Sequence, residues 1–207
     1  MKTLILGASR GLGLALKTQY QDRGHEVLGF SRTLAPGMDF TKSDNWEKVT
    51  EVLGAQRAAR IIYCAGGGPH GLFANKNFSD HQWAFRLNFE FPAFLLHQIL
   101  RKSDVWSGLG QICFVGSAVA ESADPMASSY AAAKQALRGL IHSVHKEDHG
   151  ALDIRLFSPG YMDTMLLPAN AWPRQRAGLV KSPEETARAL ILWLENDQSA
   201  NTHQVFE

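Results

Sequence analysis

The sequence predicts a doubly wound parallel α/β sheet in three layers, formed as a single domain over residues 1–207. Short apolar runs of strand length alternate with longer segments of helical spacing. The strand runs are almost continuous in Ile, Val, Leu and Phe, the pattern of a sheet covered on both faces. A glycine-rich turn joins the first strand to the first helix, and this is where such sheets bind ligands.

Strands are expected at Thr3–Leu6, Glu26–Phe30, Arg60–Cys64, Gln111–Val115 and Asp153–Phe157. Helices are expected between them at Leu12–Arg23, Asp44–Leu53, Asp80–Lys102 and Ser128–His149. Alternation of this kind implies right-handed parallel crossovers. Near the end, Ser182 reads as an N-cap, Pro183 as the first helical residue and Glu185 as the partner that closes a capping box. A helix Pro183–Glu195 follows, and Gln204–Phe206 adds a short strand. The stretch from Thr164 to Ser182 has prolines, Trp172 and no periodicity, so a loop over the substrate site is expected there.

Hydrophobic residues at 45% and charged residues at 20% exclude a disordered chain. A net charge of +1 offers no basic field for nucleic acid or an anionic membrane. Leu4-Ile5-Leu6 is too short for a signal sequence, and no apolar run approaches the ~20 residues that span a bilayer. The expectation is a cytoplasmic protein with no nucleic-acid or membrane partner. Cys64 and Cys113 lie inside apolar runs, as packed thiols do.

Gly7-Ala8-Ser9-Arg10-Gly11-Leu12-Gly13 runs from the first strand into the first helix. Its glycines permit a tight turn, close approach of backbone to a pyrophosphate, and close packing of helix on strand. The helix N-terminus adds unpaired N–H groups and a favourable dipole. Gly7, Ser9, Arg10, Gly11, Leu12 and Gly13 are therefore candidate cofactor contacts. At the end of the second strand, NAD sites carry a carboxylate for the ribose hydroxyls, whereas this chain has Ser31-Arg32. Arg32 with Arg10 suits a 2′-phosphate instead, so NADP (NADPH) is expected ahead of NAD.

Tyr130-Ala131-Ala132-Ala133-Lys134 sets a phenol and an ammonium one helical turn apart on one face. A neighbouring cation favours the phenolate and brings tyrosine toward acid–base use near neutrality. Ser117 ends the strand QICFVGS at its carboxyl edge, and Asn88 sits inside a long helix where asparagine has low propensity.

The G-x-x-x-G-x-G loop together with Asn88, Ser117, Tyr130 and Lys134 resembles the short-chain dehydrogenase/reductase family, along almost the whole chain from Leu4 to Val205. The resemblance implies a Rossmann fold and an NAD(P)-dependent oxidoreductase that passes a hydride between nicotinamide and a small carbonyl or alcohol. It implies that Tyr130 exchanges the proton and Ser117 polarises the carbonyl. Lys134 would bind the nicotinamide ribose and lower the Tyr130 pKa, and Asn88 would hold a water that relays protons to Lys134. Pro159-Gly160-Tyr161-Met162-Asp163-Thr164 matches the family's turn, with Pro159, Gly160, Met162 and Thr164 facing the nicotinamide. Asp39 resembles the Asp that contacts adenine after the next strand. Leu6 stands where the family usually has Thr, and Tyr63-Cys64-Ala65-Gly66 where it commonly has Asn-Asn-Ala-Gly. Cys64 lacks the amide's hydrogen bonds, so that part of the sheet must be held differently. Cys64, Ala65 and Gly66 remain candidate cofactor contacts.

Gly66-Gly67-Gly68-Pro69 is expected to be a mobile loop, with His70 and Phe73 as candidate substrate contacts. Tyr161, Met165, Leu166 and Trp172 suggest a pocket for an apolar or aromatic carbonyl compound. The resemblance implies a homo-oligomer, dimer or tetramer, built on the helices that carry Tyr130 and the aromatic series Trp83, Phe85, Phe89, Phe91 and Phe94. His142, His145 and His149 share a helical face, yet no carboxylate or cysteine converges with them, and no metal is expected. Two other classes were weighed. A regulator or scaffold that binds NADP without chemistry would be expected to have lost Tyr or Lys. A nucleotide-sugar epimerase or dehydratase needs a further substrate domain, for which 207 residues leave no room.

Overall fold

The computed structural model describes residues 1–196 and 202–206. In chain order the elements are β1 (Lys2–Leu6), α1 (Gly11–Asp22), β2 (Glu26–Phe30), α2 (Trp46–Gly54), β3 (Arg60–Tyr63), α3 (Phe78–Phe85), α4 (Phe91–Arg101), β4 (Gln111–Val115), α5 (Val119–Ser122), α6 (Ser128–Val144), β5 (Asp153–Pro159), β6 (Tyr161–Met162), β7 (Val180–Lys181), α7 (Pro183–Leu194) and β8 (His203–Phe206). Among the described residues six strands form one sheet in the order β2-β1-β3-β4-β5-β8, every neighbouring pair parallel.

Alternate residues of each strand serve opposite faces, and the core divides accordingly. Leu4, Leu6, Ile61, Tyr63, Ile112, Phe114 and Leu156 pack under α2, α4 and α6 through Leu53, Phe91, Leu95, Leu137 and Ile141. Ile5, Ile62, Cys113, Val115 and Phe157 pack on the other side under α1 and α7 through Leu12, Leu16, Leu190 and Leu194. Two covered faces make the three layers that the near-continuous apolar strands require.

Several expected boundaries shift for local reasons. The second helix starts at Trp46, because Ser43–Asn45 tighten into a 3₁₀ turn. The helix carrying Tyr130 stops at Val144, where the polar run Lys146-Glu147-Asp148-His149 has nothing to bury. His149 therefore lies off that helix. Ser182 caps α7 by accepting the Glu185 N–H at 3.0 Å. The Glu185 carboxylate turns to Lys181 at 3.6 Å, so the capping box closes on one side only. No strand forms between Phe30 and Asp39, where the chain returns through a turn: Ser31 Oγ accepts the Thr33 and Leu34 N–H groups, and Met38 N–H reaches the Ser31 carbonyl. A stretch this short, broken by Pro36-Gly37, leaves β2 at the sheet edge.

Candidate active site

Because all six strands point one way, the loops after β1 to β5 emerge along one edge. The chain reverses direction between β1 and β3, with β2 on the far side of β1, and this switch point is where open α/β sheets bind ligands.

The loop after β1 is shaped by backbone contact. Gly7 has φ +96°, and a Cβ there would fall 2.5 Å from the Ala65 nitrogen. A Cβ on Gly13 would fall 2.2 Å from the Gly7 carbonyl oxygen. Gly11 lies under Thr164, whose Cγ2 would be 3.2 Å from an added Cβ. Ala8 is buried, and Ser9 and Leu12 complete the turn into α1. No side chain caps α1 and its first turn holds no acid, so its leading N–H groups and dipole suit an anion. Arg10 and Arg32 are exposed, and neither side chain bonds another described residue. Buried Ser31 fixes the turn from which Arg32 projects.

Asp39 departs from expectation. With no strand before it, its Oδ1 accepts the N–H and hydroxyl of Thr41 at 3.0 and 2.7 Å and shapes a local turn. The short return from β2 removes the strand end on which its expected role depends.

The Ala131–Ala133 run favours helix, and Leu137, Ile141 and Val144 seat α6 on the sheet. This places Lys134 at 2% exposure, with Nζ donating to the Val115 carbonyl at 2.7 Å and standing 5.6 Å from the Tyr130 ring centroid. Burial lowers the Lys134 pKa to about 8, against a smaller opposing effect of Cys64. Burial raises the Tyr130 pKa, and the Ser117 side chain opposes the rise. Ser117 Oγ also accepts the Val119 N–H at 3.2 Å. Burial pushes the Cys64 thiol up to about 12, so it sits there as an uncharged wall beside Lys134.

Asn88 explains a break in its helix. Residues Arg86–Glu90 form a π turn between α3 and α4. Asn88 Nδ2 takes the Ala84 carbonyl at 2.6 Å, the acceptor its own backbone N–H would use in an α-helix. The Tyr63 hydroxyl takes the Leu87 carbonyl at 2.6 Å, so Phe91 N–H bonds Arg86 instead. Pro92 has no N–H to offer the Asn88 carbonyl. Asn88 also pins the next loop, donating to the Gly67 carbonyl at 2.6 Å and accepting its N–H at 3.3 Å. That loop is consequently anchored rather than loose: Gly66 faces Asn88 and Lys134, and a Cβ on Gly68 would stand 3.0 Å from Tyr130 Cβ. Tyr63 and Asn88 together do the anchoring that Cys64 cannot.

Past β5, the Pro159 carbonyl accepts the Ala118 N–H beside Ser117, and Gly160 N–H bonds Phe206. Met162 packs against the core on the α1 and α7 side, and Thr164 Oγ1 accepts the Leu166 N–H while its methyl rests on Gly11. The turn thus bridges the catalytic loop and the glycine loop. Arg174 holds the following segment by ion-pairing Asp163 at 2.7 Å and donating to the Thr164, Leu167 and Pro168 carbonyls.

The three histidines of α6 and its exit take separate partners, although the His145 and His149 rings meet edge to face at 6.0 Å. His142 bonds His203, His145 bonds the Ile154 carbonyl, and His149 is beyond the helix. Sequence reasoning missed Tyr63 and His81, whose ring joins buried Ser129 next to Tyr130 to the Phe73 carbonyl. It also missed Asp124, which accepts the Tyr161 hydroxyl. Tyr63 and Leu87, His81 and Ser129, and Asp124 and Tyr161 lie 24, 48 and 37 residues apart, so no local pattern marks them.

Fold and site define a doubly wound α/β protein of the dinucleotide-binding type, with Ser117, Tyr130 and a buried lysine at one sheet edge. The chain belongs to the short chain dehydrogenase family, whose model matches residues 31–173. A relative 27% identical over 219 residues, spanning 95% of this chain and 90% of its own, is the cyclic-di-GMP-binding biofilm dispersal mediator protein of Escherichia coli (strain K12). Among solved structures, a small-chain dehydrogenase in complex with NADPH superposes with a TM-score of 0.81 at 18% identity, over 100% of this chain and 96% of its own. A short-chain dehydrogenase of Burkholderia cenocepacia in complex with NADP gives 0.78 at 19%, over 99% and 95%. One from Streptomyces avermitilis gives 0.76 at 21%, over 100% and 87%. These likenesses establish the fold.

Proposed function

We propose that the protein is an NADPH-preferring oxidoreductase that reduces a carbonyl compound, or oxidises the matching alcohol, in one domain that carries both cofactor and catalytic residues. The observation that carries this reading is buried Lys134 beside the Tyr130 ring, with Ser117 acting on the Tyr130 hydroxyl, at the same sheet edge as the glycine loop. The uncapped N-terminus of α1 fits a pyrophosphate, and unpaired Arg10 and Arg32 fit a 2′-phosphate. When bound, the nicotinamide supplies or accepts the hydride.

The remaining work falls to side chains. Ser117 donates to the carbonyl oxygen and polarises it. Tyr130, kept protonated by burial, gives its proton to that oxygen as the carbon becomes an alcohol. Lys134 exchanges its Val115 bond for the ribose, and its cation stabilises the phenolate left behind. The free Asn88 carbonyl holds a water that returns a proton through Lys134. Pro159, Gly160, Met162 and Thr164 orient the ring face. We place the protein in the cytoplasm, as a homo-oligomer that covers half-buried Phe85, Phe89 and Phe94.

The other reading, a regulator that binds a nucleotide without turnover, draws on the name of the Escherichia coli relative. Ser117, Tyr130 and Lys134, all present and gathered at one sheet edge, weigh against it. A panel of carbonyl compounds followed by NADPH and NADH absorbance, with cyclic-di-GMP titrated alongside, separates the two. The expected result is turnover with NADPH at least ~10-fold more efficient than with NADH, about 1.4 kcal/mol of cofactor discrimination. Tight cyclic-di-GMP binding with no turnover of any carbonyl would favour the regulator.

A further inference from the structure

The segment over residues 161–178 forms a strap that starts against the glycine loop, where Thr164 rests on Gly11, and one side chain outside it holds it down. Tyr161 donates its hydroxyl to the carboxylate of Asp124, which also accepts Ser122 Oγ at 2.8 Å. Asp124 sits between Ser117 and Tyr130 in sequence, in the loop leaving α5. That loop is bent in a costly way: Ala123 and Met126, neither a glycine, have φ of +53° and +64°. Conformations of this kind persist where surrounding contacts impose them, and they gather at functional sites.

On the other side of Tyr161, the Trp172 ring meets it edge to face at 5.4 Å, and the Arg176 guanidinium lies 5.3 Å from the Trp172 ring. A chain of contacts therefore runs Asp124, Tyr161, Trp172, Arg176 along the strap. Burial and the Asp124 carboxylate both raise the Tyr161 pKa, so the donor keeps its proton well above neutrality. The Met126 carbonyl accepts the Gly71 N–H at 2.8 Å, which brings exposed Leu72 to the same rim. Leu72, Met126, Leu166 and Trp172 are 60, 46, 46 and 44% exposed, so the strap and the Asp124 loop both offer apolar surface.

We infer that Asp124 is a positioning residue for the substrate pocket: through Tyr161 it fixes Trp172 as the wall against which an uncharged, apolar carbonyl compound with a ring or chain is bound. The inference rests on the carbonyl-reductase reading above. Asp124 does no chemistry; it needs only to accept the Tyr161 proton. Its carboxylate at the rim also disfavours substrates that carry a negative charge.

The test is a double-mutant cycle on Asp124→Ala and Tyr161→Phe, with Asp124→Asn as the conservative variant that keeps an acceptor. Turnover is measured with NADPH and α-tetralone, with acetone as the small comparison. Each single change should raise KM for α-tetralone about tenfold with kcat within twofold, the double variant should be no worse than either, and Asp124→Asn should recover most of the loss. Additive effects, or an equal KM rise for both ketones, would overturn the inference. Trypsin cleavage after Arg174 and Arg176 gives a readout that needs no substrate. Tyr161→Phe, which deletes one oxygen, should speed it at least fivefold, and an unchanged rate would refute the latch. If the unaltered protein reduces neither ketone, the proposed reaction is in question, and the cleavage rate still decides whether Asp124 holds the strap.

Discussion

The glycine loop and the strap close the two ends of one site and are held in opposite ways. The loop is backbone against backbone, with Gly7 on Ala65 and Gly13 on the Gly7 carbonyl. The strap is held by side-chain tips: Tyr161 on Asp124, Trp172 on Tyr161, Arg174 on Asp163 and three carbonyls. Backbone contacts have no slack, whereas side-chain contacts can be altered an atom at a time. A cofactor common to a family belongs at the rigid end, and a substrate particular to one member at the adjustable end.

Gly13→Ala should break the rigid end. Its Cβ would meet Gly7 O at 2.2 Å, and neither backbone can give way. Denaturant unfolding should show a loss of about 3 kcal/mol or more, together with lost NADPH binding.

Lys134→Met acts at the centre, between the two ends. It removes a buried cation whose pKa burial has lowered to about 8, while leaving the Val115 carbonyl without its donor. The net effect at pH 7 should be a ligand-free protein more stable by about 1–2 kcal/mol, with turnover abolished. Below pH 8 the native and unfolded lysines are both charged, and the native state bears the full cost. Between about 8 and 10.5 the native lysine loses its proton first, so the unaltered protein gains stability with rising pH and the advantage of Met disappears. Thermal unfolding of both proteins across that window checks the sign.

Gly178→Ala tests the adjustable end and should do least. Gly178 has φ +77° with nothing within 4 Å of an added Cβ, so the cost is only that of the left-handed backbone, about 1 kcal/mol, with cofactor affinity unchanged. A loss as large as that of Gly13→Ala would erase the contrast between the ends.

The same contrast governs what the sequence discloses. The glycine loop and the Tyr130–Lys134 pair are legible because their reasons are local, one in a strand–turn–helix junction and the other in one turn of helix. Asn88 is legible as a misfit in a helix, but the π turn is not, since half its cause is Tyr63, 24 residues from Leu87. Asp124 and Tyr161 stand 37 residues apart, and only the fold brings them together. Asp39 is legible by its neighbours, but the turn it makes with Thr41, in place of a strand before it, is not. His149 misleads because helical spacing was continued past the last residue with anything to bury.

The central claim is that Tyr130 supplies the proton to the reacting oxygen, and kinetics of Tyr130→Phe test it most directly. With a ketone the unaltered protein reduces, kcat should fall by about 10³-fold while the NADPH Kd stays within twofold. A variant that keeps a tenth or more of the original kcat would contradict it.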